Sequence, residues 1–155
     1  MSKKVSIEDA LCFNLYTASR LMTQVYRPYL KKIGLTYPQF LVMTLLWKAK
    51  GKDSDKGTTV KELGTRLYLD SGTLTPLLKR LEAMELLTRK RSTHDEREVL
   101  ITLSRKGINL EKKSESIPME MFCNLNLTMD SFIEIRDGVK EVLANLHDKV
   151  NEDKN

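Results

Sequence analysis

The amino-acid sequence predicts a mainly α-helical chain with one small β-hairpin, and three observations carry that reading. Apolar residues recur at steps of three and four along most of the 155 residues, the period of a helix with one buried face. Helix-starting sequences, a Ser or Thr followed three residues later by Asp, Gln or Glu, stand at Ser6, Thr36 and Thr59. Only Leu87 to Arg91 and Glu98 to Leu103 have strand character, joined by the polar tip Ser92 to Arg97. A chain this long makes one domain and buries roughly 70% of its unfolded surface, so it needs no disulfide or metal to fold.

Ser6-x-x-Asp9 is expected to open a long helix with the stripe Leu11, Leu15, Ala18, Met22, Val25 and Tyr29, stopping at Gly34. Pro28 lies inside it and should kink it or weaken one turn. Thr36-x-x-Gln39 starts a second helix, Tyr37 to about Lys50, with Pro38 in the first turn, where N–H groups lack partners anyway. Phe40, Leu41, Met43, Leu45, Leu46 and Trp47 cover much of its circumference, so it reads as the core. Residues 51–58 form a polar loop. Thr59-x-x-Glu62 caps a short helix carrying Val60, Leu63 and Leu67. After a turn at Tyr68-Leu69-Asp70, a helix starts at Ser71 or Gly72 and buries Leu74, Leu77, Leu78, Leu81 and Met84. Beyond the hairpin, Ser104 begins a helix that Pro118 interrupts. Thr128 opens the last helix, in which Phe132, Ile135, Val139, Val142 and Leu146 step by three and four. Two short helices followed by a hairpin make a winged helix-turn-helix, residues 59–103. The flanking stretches 1–34 and 104–150 are too apolar to stand alone and are expected to dimerise within a single domain of 1–155. The fold class is therefore mainly α with a small β-wing.

Composition removes several function classes. Hydrophobic residues at 41% and charged residues at 30% lie in the globular range. No run approaches the length of a membrane span, and the acidic residues that follow Met1-Ser2-Lys3-Lys4, in place of an apolar stretch, argue against a secretory signal. Cys12 and Cys123 are too few for a disulfide framework, so a cytoplasmic protein is expected. His94 and His147 are isolated, with no His or Cys partner at i+3 or i+4, which argues against a metal or other cofactor. The net charge of +5 is unevenly spread. Residues 130–155 hold seven acids and four bases, leaving +8 on residues 1–129. A basic body with an acidic tail suits an anionic partner, although a solvated lysine-rich surface would look the same.

With its leucines buried, the helix from Ser71 presents Ser71, Thr73, Thr75, Pro76, Lys79 and Arg80 near its N-terminal end. In a helix-turn-helix that end enters the DNA major groove, where hydroxyls meet base edges and threonine methyls meet thymine. An ordinary solvated helix face is the bland alternative. The wing shifts the balance. Arg89 and Arg91 share one strand face, and Arg97 stands at the tip beside Asp95. Arginine on a wing suits a narrow A·T-rich minor groove, and Asp95, which phosphate would repel, is expected to hold Arg97.

The run Leu69-Asp70-Ser71-Gly72-Thr73-Leu74-Thr75-Pro76-Leu77-Leu78-Lys79-Arg80-Leu81-Glu82 resembles the recognition helix of the MarR family of bacterial repressors. Asp95-Glu96-Arg97 is similar to that family's Asp-x-Arg wing motif. Leu11-Cys12-Phe13 with Leu15-Tyr16, and Leu35-Thr36-Tyr37-Pro38-Gln39, resemble its organic-hydroperoxide sensors of the OhrR type. The likeness runs from about residue 7 to 118 and weakens beyond. It implies a homodimer on a double-stranded DNA operator, released by organic hydroperoxide.

Read locally, Cys12 has apolar neighbours and no His, Lys or Arg within four residues, which suits an inert, packed thiol. It is expected a turn and a half inside its helix, where the dipole helps little. Tyr16 shares its face. Tyr26 lies fourteen residues on, about 21 Å along a helix, so only a partner helix could bring such a residue to Cys12. The OhrR resemblance implies a sensing thiolate at Cys12, held by Tyr26 and Tyr37 of the other subunit. It also implies a resolving role for Cys123 in some members and an external thiol in others; alone, Cys123 reads as a small core residue. A thiol peroxidase is the competing enzyme reading, opposed by the absence of a nearby cation and of Cys-x-x-Cys. A repressor responding to a small aromatic ligand, with Cys12 merely packed, is the third.

Overall fold

The computed structural model describes residues 6–50, 57–93 and 95–152. Most of the expected polar loop, His94, the N-terminal lysines and the last acidic residue, Asp153, lie outside them. The elements run α1 (Leu11–Lys32), α2 (Tyr37–Ala49), β1 (Thr58–Thr59), α3 (Val60–Leu67), α4 (Ser71–Ala83), β2 (Leu87–Arg91), β3 (Val99–Leu103), α5 (Arg105–Ser114), α6 (Ile117–Asn124) and α7 (Met129–Glu152). They fall into two compact units, Met1–Ile117 and Pro118–Asn155.

In the first unit, α2 supplies the centre of the core. Phe40, Val42, Met43, Leu46 and Trp47 are buried with Leu63 of α3, Leu74, Leu78 and Leu81 of α4, and Leu87 and Ile101 of the sheet. The Trp47 indole N–H donates to the Gly107 carbonyl at 2.9 Å, tying α2 to α5. β2 and β3 pair antiparallel from Leu87↔Leu103 to Arg91↔Val99. β1 adds to the other edge of β3 at Thr58↔Ile101 and Thr59↔Leu100.

Several starts and stops follow the expected chemistry. α1 ends in a left-handed Gly34 (φ +72°), with the Leu35 N–H on Leu30 O and the Gly34 N–H on Lys31 O. Gln39 Oε1 accepts from the Thr36 N–H at 2.9 Å, and Thr59 Oγ1 accepts from the Glu62 N–H at 3.0 Å. α1 continues through Pro28.

Four expectations need correction. Ser6 does not cap α1: its hydroxyl bonds to the Glu8 carboxylate, and a 3₁₀ turn, Ile7–Asp9, precedes a helix that begins only at Leu11. Thr58, expected in the loop, forms a short strand with Thr59, which is also the N-cap of α3. The helix after Ser104 stops at Ser114. Pro118 sits instead in the first turn of a separate helix, α6, where its missing N–H costs nothing.

In the second unit Phe122 and Phe132 pack edge to face at 5.1 Å. No residue of α7 is buried. Ile133, Ile135, Val139, Leu143, Leu146 and Val150 are 38–57% exposed. On α1 only Leu30 is buried, and Leu11, Tyr16, Leu21, Met22 and Val25 are exposed. No helix among the described residues is long and apolar enough to cross a membrane.

Candidate nucleic-acid interface and thiol site

Asp70 starts α4. Its carboxylate accepts from the Thr73 N–H at 2.8 Å and from the Thr73 hydroxyl at 2.9 Å, and these bonds hold it below the ordinary carboxylate range. Sequence reading had passed over this cap, although Asp is a favoured N-cap residue. Thr73 has thus committed its hydroxyl proton and offers its lone pairs and methyl outward. Ser71, Pro76, Lys79 and Arg80 are exposed on the same helix, and Thr75 is half-buried. Lys79 and Arg80 make no ion pair among the described residues.

On the wing, Arg89 and Arg91 share a strand face as expected, but Arg89 is tied to α4. Its Nε donates to Glu82 Oε2 at 2.7 Å and its backbone N–H to Oε1 at 3.0 Å, so one carboxylate of α4 grips both parts of a β2 residue. The guanidinium bond holds the Glu82 carboxyl below the ordinary carboxylate range. Arg91 is exposed. Asp95 does hold Arg97, but by its backbone: Asp95 Oδ1 accepts the Arg97 N–H at 2.9 Å. The Glu98 N–H donates to Asp95 O at 2.9 Å, which closes the tip. Arg97, Arg89, Thr75 and Lys61 line one cleft of about 400 Å³ between wing, α3 and α4. Glu82 is the organising residue that sequence reading missed, since no periodicity links a helix glutamate to an arginine seven residues on.

Cys12 is exposed and is the second residue of α1, not a turn and a half inside it. The first helical bond of α1 runs from Asn14 N to Ala10 O, so the N–H groups of Leu11, Cys12 and Phe13 precede the ladder. Tyr16 is exposed one turn on. Tyr26 and Tyr37 pack with tilted rings, their centroids 4.9 Å apart, and the Phe40 ring lies 6.1 Å from that of Tyr26. Burial raises both phenols above their ordinary value, with Tyr37 adding to the effect on Tyr26, so both stay protonated donors. Neither hydroxyl has a hydrogen-bond partner among the described residues. Cys123, on α6, is an exposed free thiol rather than a core residue. The described residues contain no cluster of ligands fit to hold a metal.

The family model of the transcriptional regulator SarA/Rot matches residues 24–117. An organic hydroperoxide resistance transcriptional regulator of Bacillus subtilis is 43% identical over 145 residues, covering 94% of this chain and 95% of its own. Reduced AbfR bound to DNA superposes with a TM-score of 0.70 at 33% identity, covering 88% of this chain and 91% of that one. Overoxidized AbfR bound to DNA gives 0.70 at 35%, with 88% and 90% covered. Disulfide-formed AbfR gives 0.60 at 35%, with 86% and 89% covered. AbfR is from Staphylococcus epidermidis.

Proposed function

The chain belongs to the SarA/Rot family of transcriptional regulators, winged-helix proteins of the MarR type, and on that footing we propose that it is a cytoplasmic, thiol-switched repressor. The reduced homodimer binds a pseudo-palindromic operator, and oxidation of Cys12 by an organic hydroperoxide releases it. One observation carries the reading. Tyr26 and Tyr37 of one chain converge to 4.9 Å with unclaimed hydroxyls, while Cys12 lies exposed at the far end of the same helix, about 21 Å away. A donor pair and its acceptor are present in one chain but meet only between two copies.

In this dimer Ser71, Thr73, Thr75, Pro76, Lys79 and Arg80 face the major groove. Arg91 and Arg97 reach the adjacent minor groove, and Arg89 sets the wing's posture. The Cys12 thiolate attacks the terminal oxygen of R–O–O–H. The O–O bond breaks, sulfur leaves as S–OH, oxidised by two electrons, and the alkoxide takes a proton from water to become an alcohol. The sulfenic acid then condenses with a thiol to form a disulfide and water, the thiol being Cys123 of the partner subunit or a small external one. Overoxidized AbfR is on DNA, which supports the disulfide, rather than the altered charge at sulfur, as the releasing species.

The test is a gel shift on the duplex that the reduced protein selects from a random pool, with and without cumene hydroperoxide. The parent should release, and Cys12→Ser should bind and stay bound. Release by an aromatic carboxylate with Cys12 dispensable would favour the ligand-responsive alternative.

A further inference from the structure

Gln39 is a polar side chain left only 6% exposed in the first unit. Its carbonyl end is well served: Oε1 accepts from the Thr36 N–H at 2.9 Å and from the Thr36 hydroxyl at 3.1 Å. Its amide end is not. Nε2 donates to Met84 Sδ at 3.9 Å, and a thioether is a weak acceptor. A buried donor with so poor a partner forgoes most of a hydrogen bond. Met84 is the C-cap residue of α4, where the reading helix turns towards the wing. It is half-buried, and it lines a cleft of about 630 Å³ with Ile33, Leu86, Leu110, Arg105 and Lys113. The sulfur therefore meets an amide donor and belongs to a side chain that borders open space. The other described methionines differ: Met43 and Met121 are buried, and Met119 and Met129 are exposed.

We propose that Met84 is a methionine sulfoxide site, oxidised by hydroperoxide in the folded protein, with the Gln39 amide receiving the new oxygen. The step uses the oxidant of the function proposed above but not its thiol. The thioether sulfur attacks the terminal oxygen of R–O–O–H. An S–O bond forms, the O–O bond breaks, and the proton of that oxygen passes to the departing alkoxide. Sulfur is oxidised by two electrons, and the peroxide is reduced to an alcohol. Arg105 and Lys113, which line the cleft, favour the alkoxide as it leaves. A sulfoxide oxygen is a far better acceptor than a thioether, so oxidation gives the buried amide the partner it lacks. Sulfur carries two lone pairs and the amide lies on one side of it, so one sulfoxide epimer forms. The mark ties α2 to the end of the reading helix, a contact that the reduced side chain makes only weakly.

The experiment treats the full-length protein with cumene hydroperoxide, as parent, Gln39→Glu and Cys12→Ser, and follows each methionine by timed peptide mass spectrometry. Glutamate keeps the capping acceptor for Thr36 and removes the N–H that faces Met84. The peptides are then given methionine sulfoxide reductase A or B, each of which takes one epimer. In the parent, Met84 should oxidise at a rate comparable with Met119 and Met129, while Met43 and Met121 stay reduced. The Met84 sulfoxide should be a substrate for one reductase alone, whereas Met119 and Met129 should yield both epimers. Gln39→Glu should slow Met84 about fivefold, the worth of one hydrogen bond, lose the epimer preference and leave Met119 and Met129 unchanged. Cys12→Ser should match the parent at Met84, which separates this site from the thiol switch. Both epimers in equal amounts at Met84 of the parent overturn the proposal, with no variant needed. So does a Met84 as inert as Met43 and Met121, or a Gln39→Glu protein whose Met84 keeps the parent's rate and epimer.

Discussion

A single carboxylate at Glu82 joins the reading helix to the wing, and its chemistry makes that joint sensitive to acid. The Arg89 bonds hold the folded-state value of Glu82 below its ordinary 4.5, so folding favours the ionised form. The pair's contribution is therefore fully present above about 4.5 and is lost as pH falls through the lower folded value. Thermal midpoints of the parent and Glu82→Gln should differ near neutrality and converge in acid; a constant gap would assign the difference to something other than this ionisation. At the wing tip, Asp95 fixes the backbone of Arg97 and leaves the guanidinium free to face DNA. Arg97→Ala should weaken operator binding by about 1–3 kcal/mol, with the loss greatest on A·T-rich flanks. Lys79→Ala should instead weaken all sequences alike and flatten the salt dependence, as loss of one phosphate contact does. Fluorescence anisotropy on flank-substituted duplexes separates the two.

Among the elements, α5 is set against the α4–β2 turn by an approach that leaves no room for a side chain. A Cβ on Gly107 would lie 2.0 Å from the Leu86 carbonyl oxygen. The same residue gives its N–H to the Ser104 hydroxyl at 3.0 Å and its carbonyl to Trp47. Gly107→Ala should cost about 1–3 kcal/mol in urea unfolding, the usual scale for overpacking. Elements whose signals are local were legible in the sequence: the starts at Thr36, Thr59 and Ser104, the stop at Gly34, and, within a residue, both strands of the hairpin. What escaped depended on choices between partners. Ser6 had the spacing of a cap, yet its hydroxyl bonds to the Glu8 carboxylate, and α1 begins only at Leu11, with Cys12 in its first turn. β1 is two residues long and exists through pairing with Ile101 and Leu100, more than forty positions away, so it has no period to read. The Arg89–Glu82 grip likewise forms across a helix end and a strand. The residue types of the thiol site were legible, but the meeting of Tyr26 and Tyr37 is a tertiary fact.

At the scale of the whole molecule, the exposed stripes of α1 and α7 ask for a second copy. Seven large apolar residues of α7, Met129 included, stand 38–57% exposed, surface that water disfavours and a homodimer can cover. Sedimentation at micromolar concentration should find a dimer, and its half-sites should lie about one helical turn, ~34 Å, apart. The switch must act through that assembly. A hundredfold release requires the oxidised dimer to bind DNA about 2.7 kcal/mol less well than the reduced one, which one or two lost contacts per subunit can supply. On the proposed switch, forming S–OH at Cys12 would add one oxygen and remove the charge that the Tyr26 and Tyr37 hydroxyls of the second copy would solvate, a local change. A disulfide at that proposed meeting point would need far more space and would displace the helices joined to the DNA-binding elements. Cys123→Ser should therefore keep sensing peroxide but depend on added small thiol for full release, whereas the parent should release without it. If Cys123→Ser released as fully as the parent in the absence of any thiol, the disulfide step would be unnecessary, and oxidation at Cys12 alone would have to move the dimer.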